Sequence, residues 1–107
     1  MAKDEERLAR NEALFREVNE RIEDAARTAP IDVAQFLCEC SDTSCDTVLE
    51  VPIAEYEAVR AIATRFIVAP GHESRDIEHV VERHAGYVVV EKHGRAAEVA
   101  AETEPRN

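Results

Sequence analysis

Over the first quarter of the chain, apolar side chains are sparse and set among charges. Leu8, Phe15, Val18, Ile22 and Ala25 recur at intervals of 7, 3, 4 and 3, with Asn11 in the gap and Leu14 beside the row. That spacing suits one face of an α-helix, and the stripe is as narrow as an a/d seam. Glu6–Arg10, Glu12–Arg16, Glu17–Arg21 and Glu23–Arg27 are i,i+4 pairs in the favourable order. No Gly or Pro intervenes before Pro30, which stops the run. A helix over 3–28 is predicted. A seam so narrow leaves two roles open: packing on its own domain, or pairing with a copy of itself or another protein. Residues 1–28 are expected to project or pair, as a charged interaction helix, rather than vanish into a core.

After Pro30 the period changes to two. Ile31–Gln35 is a lead-in, Phe36–Cys40 a strand, and Thr47–Val51 a second, β-branched strand. Pro52 suits a helix start, and Ile53, Tyr56, Val59 and Ala63 share one face of a short helix over 53–63. Thr64–Ala69 reads as a strand that ends at Pro70-Gly71-His72-Glu73, a turn signal. Residues 77–84 fit either a helical stripe or the first arm of a β-hairpin. The symmetry of His79–Arg83 and Tyr87–Lys92 about His84-Ala85-Gly86 favours the hairpin. Residues 95–107, Ala- and Glu-rich, are expected to form a flexible tail. The fold class expected is α+β: a long N-terminal helix, then a small, mostly antiparallel sheet over 31–94 with one short helix.

The polar interruptions carry the chemistry. Cys38, Cys40 and Cys45 are the three cysteines of the chain, in a C-x-C-x4-C pattern. On a strand, Cys38 and Cys40 face the same side. Ser41-Asp42-Thr43-Ser44 suits a turn that returns Cys45 to them. Three converging thiols form a soft ligand set suited to zinc, Zn2+, which takes four ligands in a closed site. His72 is the preferred fourth, because the Pro-Gly turn presents it at a sheet end. His93 is the runner-up, Asp42 and Asp46 are carboxylate alternatives, and a water would leave the site open. Were the cysteines merely core residues, such clustering would have no reason.

With 107 residues, 34% of them charged and no Trp, the chain is one small domain that a metal staple would help. No apolar run nears the roughly 20 residues that span a bilayer. The charged start lacks the apolar core of a signal peptide. A cytoplasmic location, where thiols stay reduced, is expected, and three cysteines cannot all pair in one chain. A net charge of −10 argues against nucleic acid and anionic membranes as partners. A basic protein, or a second copy meeting the N-terminal helix, is the partner expected.

The segments 11–22, Phe36-Leu37-Cys38-Glu39-Cys40 with Cys45, 55–60 and Val68-Ala69-Pro70-Gly71-His72-Glu73 resemble a group of small uncharacterised bacterial proteins. The likeness spans residues from about 8 to 93. It implies that His72 belongs with Cys38, Cys40 and Cys45, and it implies no activity.

No Gly-rich phosphate loop, metalloprotease helix motif or serine elbow is present. The reading is a small zinc-binding protein, a non-enzymatic interaction or regulatory module with a structural Cys3His site. Two alternatives stand beside it: a thiol redox sensor that releases zinc on oxidation, and a small zinc hydrolase with an open coordination position.

Overall fold

The computed structural model describes residues 2–106. Its elements are α1 (Ala2–Arg27), β1 (Val33–Leu37), β2 (Val48–Pro52), α2 (Ile53–Arg60), β3 (Arg65–Val68), β4 (Glu78–His84), β5 (Tyr87–Lys92) and α3 (Gly94–Glu102). The α+β layout is the one expected, but the strands form two small antiparallel sheets, β1-β2 and β3-β5-β4, rather than one.

The hairpin β1-β2 alternates strictly. Val33 and Gln35, like Val48 and Glu50, point outward, while Ala34, Phe36, Leu49 and Val51 are buried. Phe36 lies opposite Leu49 and Ala34 opposite Val51, so the apolar pairs fall on one face. The Phe36 ring stacks on Tyr56 of α2 with centroids 4.2 Å apart. In the second sheet β5 is central, and Tyr87, Val88, Val89 and Val90 are all buried, as a strand covered on both faces requires. Residues 77–84 are the hairpin arm: β4 pairs with β5, with a register shift between Val80 and Glu82. The turn takes Gly86 at φ 87°, a conformation open to glycine.

Cys38 and Glu39 link the two sheets. The Cys38 N–H donates to Thr47 O at 3.0 Å, which adds a rung to the first ladder. The Glu39 N–H then donates to Ile67 O at 2.8 Å, handing the chain to β3.

Helix α1 departs from expectation. Its buried row is Ala9, Glu12, Arg16, Asn19, Glu23 and Ala26, spaced 3, 4, 3, 4 and 3. Of the predicted stripe, Leu8, Phe15 and Ile22 flank that row half-buried, whereas Val18 is 44% exposed, Leu14 59% exposed, and Ala25 also faces outward. The helix therefore packs on its own domain, with a mostly polar face inward. Burial of those groups is tolerable because they are paired. Arg16 donates to the carbonyls of Ala63 at 2.6 Å and Ala100 at 2.8 Å, and lies over the Phe66 ring at 4.4 Å. Lys92 covers the same ring at 4.3 Å and contacts both Glu12 and Glu78. Glu6–Arg10 and Glu23–Arg27 form as i,i+4 pairs, while Glu12 and Arg16 turn inward instead.

The tail also departs from expectation. Residues 94–102 are a helix, because Ala96, Val99 and Ala100 give it an apolar face that packs on α1 and β5. Beyond it, Arg106 donates to Glu20, Glu23 and Glu57 at 2.8, 2.5 and 2.6 Å. The short helix α2 ends at Arg60, and Ala61 caps it.

Candidate metal centre

Three short segments build the site. The first is the extension of β1. Beyond Leu37 the chain stays extended, and Phe36, Cys38 and Cys40 are buried together, as their alternation predicts. The second is the turn after Cys40. The Asp42 carboxylate accepts from the Ser44 N–H at 2.9 Å and the Ser44 hydroxyl at 2.6 Å, an Asx-type turn. The Cys45 N–H closes it by donating to Asp42 O at 3.0 Å. Asp42 is thus occupied in shaping the loop. The third is Ala69-Pro70-Gly71-His72, where the His72 N–H donates to Ala69 O at 2.9 Å and Gly71 sits at φ 86°. Pro and a left-handed Gly at the two central positions make a type II turn, which fixes the direction of His72.

These segments bring together Cys38, Cys40, Cys45 and His72, whose donor atoms all lie within 4.8 Å of one another. His72 Nδ1 is 3.6 Å from the Sγ atoms of both Cys38 and Cys45. In a tetrahedral site with metal–sulfur arms of about 2.3 Å and metal–nitrogen arms of about 2.0–2.1 Å, the S···N edge is about 3.6 Å. The four residues form a Cys3His group that could hold a metal, and the three cysteines are free of disulfides. The runner-up His93 lies elsewhere, stacked on His79 with ring centroids 6.0 Å apart. Asp46 is exposed and outside the group.

The surroundings divide the thiols. Cys38 and Cys40 are buried, and burial pushes both above the ordinary thiol value, Cys38 far above it. Cys38 Sγ nevertheless accepts the Ala69 N–H at 3.2 Å, the contact a thiolate would favour. Cys45 is half-exposed. Burial is the largest single influence and pushes it up, but the hydrogen bonds from Thr47, Cys40 and His72 together outweigh it and hold it at about 7.

A second group around the site was not evident from the sequence. Glu39, between two of the cysteines, is fully buried. Its carboxylate accepts from Asn19 and from the Tyr56 hydroxyl, each at 2.8 Å, and from the Ile67 N–H at 3.0 Å. Asn19 also donates to Leu37 O and accepts the Leu37 N–H, both at 2.8 Å. Asn11 donates to Ser41 O at 3.0 Å, and Ser41 shares a 2.6 Å hydrogen bond with the Ser74 hydroxyl. Strand alternation puts Glu39 opposite the cysteines, and α1 covers that side. The only signal for its burial was the a/d spacing of the polar row on α1.

Among the described residues no helix is long and apolar enough to cross a membrane. Comparison with protein-family models, curated proteins and solved structures finds no match to this chain.

Proposed function

We propose that the chain is a zinc-stapled interaction or regulatory module in which Cys38, Cys40, Cys45 and His72 hold one zinc ion in a structural site. The observation that supports it most is the pair of 3.6 Å S···N edges from one imidazole nitrogen to two thiols of a converging trio. Thiolate and imidazole suit zinc better than a hard cation, which would ask for oxygen ligands. Three sulfurs and a nitrogen complete a tetrahedron, so the role is structural and no position is left for a reacting water. The hydrolase reading loses its basis with His72 in place. The outer face of α1, with Leu14 and Val18 exposed between Arg10 and Arg21, is the surface proposed to meet a second copy or a partner protein.

The test is a thermal melt of wild type and Cys40→Ser with and without Zn2+. Structural zinc contributes on the order of 10 kcal/mol of binding free energy in small domains, much of it felt as folding free energy. Wild type should gain stability on adding zinc. Cys40→Ser should melt about 10 °C lower or more and gain nothing from the metal. Equal melting of the two proteins under both conditions would return the cysteines to the role of core residues.

The exposure of His72 and half-exposure of Cys45 favour a second reading, a thiol sensor. A hydroperoxide ROOH would transfer its outer oxygen to one cysteine thiolate, giving a sulfenic acid and releasing the protonated alcohol ROH (water, from hydrogen peroxide). A second thiolate then attacks that sulfur and displaces the oxygen, which leaves as water with a second proton, and the resulting disulfide can no longer hold the metal. Zinc release at low peroxide, measured with a chelating dye, distinguishes this role from a purely structural one.

A further inference from the structure

Helix α1 is tied to the rest of the fold by hydrogen bonds as well as by apolar contact, and one group of the bonds falls on a single stretch of chain. Asn19 contacts Leu37 through both its backbone N–H and carbonyl and also reaches Glu39, while Asn11 reaches Ser41. Four hydrogen bonds from one helix thus fall on residues 37–41, the segment that presents Cys38 and Cys40. A second path starts at the other half of the site. Ser74, two residues beyond His72, bonds the Ser41 hydroxyl, and its N–H donates to Glu78 at 2.8 Å. Glu78 contacts Lys92, and Lys92 contacts Glu12 of α1.

We infer that the metal site and helix α1 form one cooperative unit, in which zinc at the Cys3His group clamps α1 onto the sheets and its loss loosens α1 ahead of the rest. This rests on the zinc reading above. Zinc draws residues 38–45 and 70–72 to one point, and those are the segments whose neighbours grip the helix. Without it, the two segments are held in register by the Ser41–Ser74 bond, the Ala69 N–H on Cys38 and the pair of bonds between Glu39 and Ile67, none of which reaches residues 42–45. The inward groups of α1, Glu12, Arg16, Asn19 and Glu23, are ones that water solvates well, so a loosened helix has a favourable alternative partner. Linkage makes the effect reciprocal: the factor by which zinc favours the docked helix is the factor by which docking tightens zinc. Asn11 and Asn19 are then positioning residues for a metal they do not touch, comparable to the outer partners that orient ligands in other metal sites.

The test uses the full-length chain with one equivalent of Zn2+ and after chelation, read by hydrogen exchange and by competition with a zinc-binding dye. On zinc removal, amides of residues 9–26 should exchange at least about tenfold faster, and those of β5 should change much less. Asn19→Ala and Asn11→Ala should each weaken Zn2+ binding about 10- to 100-fold with all four ligands intact. Asp24→Asn, at an exposed position of the same helix, should leave affinity unchanged. Should Asn19→Ala not fold, Asn11→Ala, which removes one half-buried bond, decides the matter. Equal protection of α1 with and without zinc, equal loss across α1 and β5, or wild-type affinity in the Asn variants would overturn the coupling while the zinc reading stood. A wild-type chain that takes up no zinc would defeat both.

Discussion

Glu39 shows how one side chain joins a site to a fold. It sits between Cys38 and Cys40, and its carboxylate takes three donors from three different elements, Asn19 of α1, Tyr56 of α2 and the Ile67 N–H of β3. Burial pushes its pKa up, and those hydrogen bonds oppose the rise. Each buried donor left without a partner costs about 1–3 kcal/mol. Glu39→Ala is therefore expected to destabilise the protein by about 3 kcal/mol or more in chemical denaturation, and Glu39→Gln, which keeps one acceptor oxygen, by clearly less. Similar losses for the two would show that the hydrogen bonds contribute little there. In the sequence, the cysteines were legible because thiols within eight residues have few other uses. Glu39 was not legible, because a charged residue on the far side of a strand ordinarily faces water, and nothing local reveals that α1 will cover it.

At the scale of elements, the strands follow their own composition. The alternation of β1 and β2, the β-branched run of β5 and the glycine of the β4–β5 turn all lie in contiguous residues, where period and turn chemistry can be read directly. Helix α1 was legible as a helix and misjudged as to its face. Its apolar residues made a plausible stripe, yet the 9-12-16-19-23-26 row is the one that fits the domain, because Arg16 and Asn19 reach carbonyls and a carboxylate supplied by residues far along the chain. The same long-range dependence hid α3, whose alanines became informative only once α1 was there to pack on. Two variants separate the faces. Leu14→Ser on the outer face should change stability by less than about 0.5 kcal/mol. Removing residues 1–27 should abolish cooperative melting, since it uncovers Phe66 and strips Asn19 from Glu39 and Glu12 from Lys92; a soluble, cooperatively folded product would restore the projecting helix.

Over the whole molecule, an acidic chain with 23 acidic and 13 basic side chains buries charges of both signs. Arg16, Arg60 and Lys92 are all buried, and Arg60 bonds Glu20 at 2.5 Å and also pairs with Glu104. Burial works against charge on such groups, pushing Glu78 up to about 7 and Lys92 down, and close pairing is the offset. Glu20 goes the other way. Burial raises it, but the hydrogen bonds and charges of Arg60 and Arg106 outweigh that and leave it below its ordinary value of 4.5. A carboxyl depressed by folding stabilises the protein in full above the unfolded value and loses that contribution as pH falls through the folded one. Glu20→Gln should thus lower the melting temperature at neutral pH, with the gap from wild type closing as pH drops below 4.5. A gap that stays constant with pH would mean that the ion pair is not its source.

Central to the proposed function is that Cys38, Cys40, Cys45 and His72, which lie within metal-binding distance of one another, enclose one zinc ion. X-ray absorption at the zinc edge, on protein purified under reducing conditions and assayed for metal content, tests it most directly. The expected result is close to one zinc per chain, with three sulfur neighbours at about 2.3 Å and one nitrogen at about 2.0–2.1 Å. A folded chain that carries no metal, or a zinc shell made of oxygen and nitrogen alone, would contradict it.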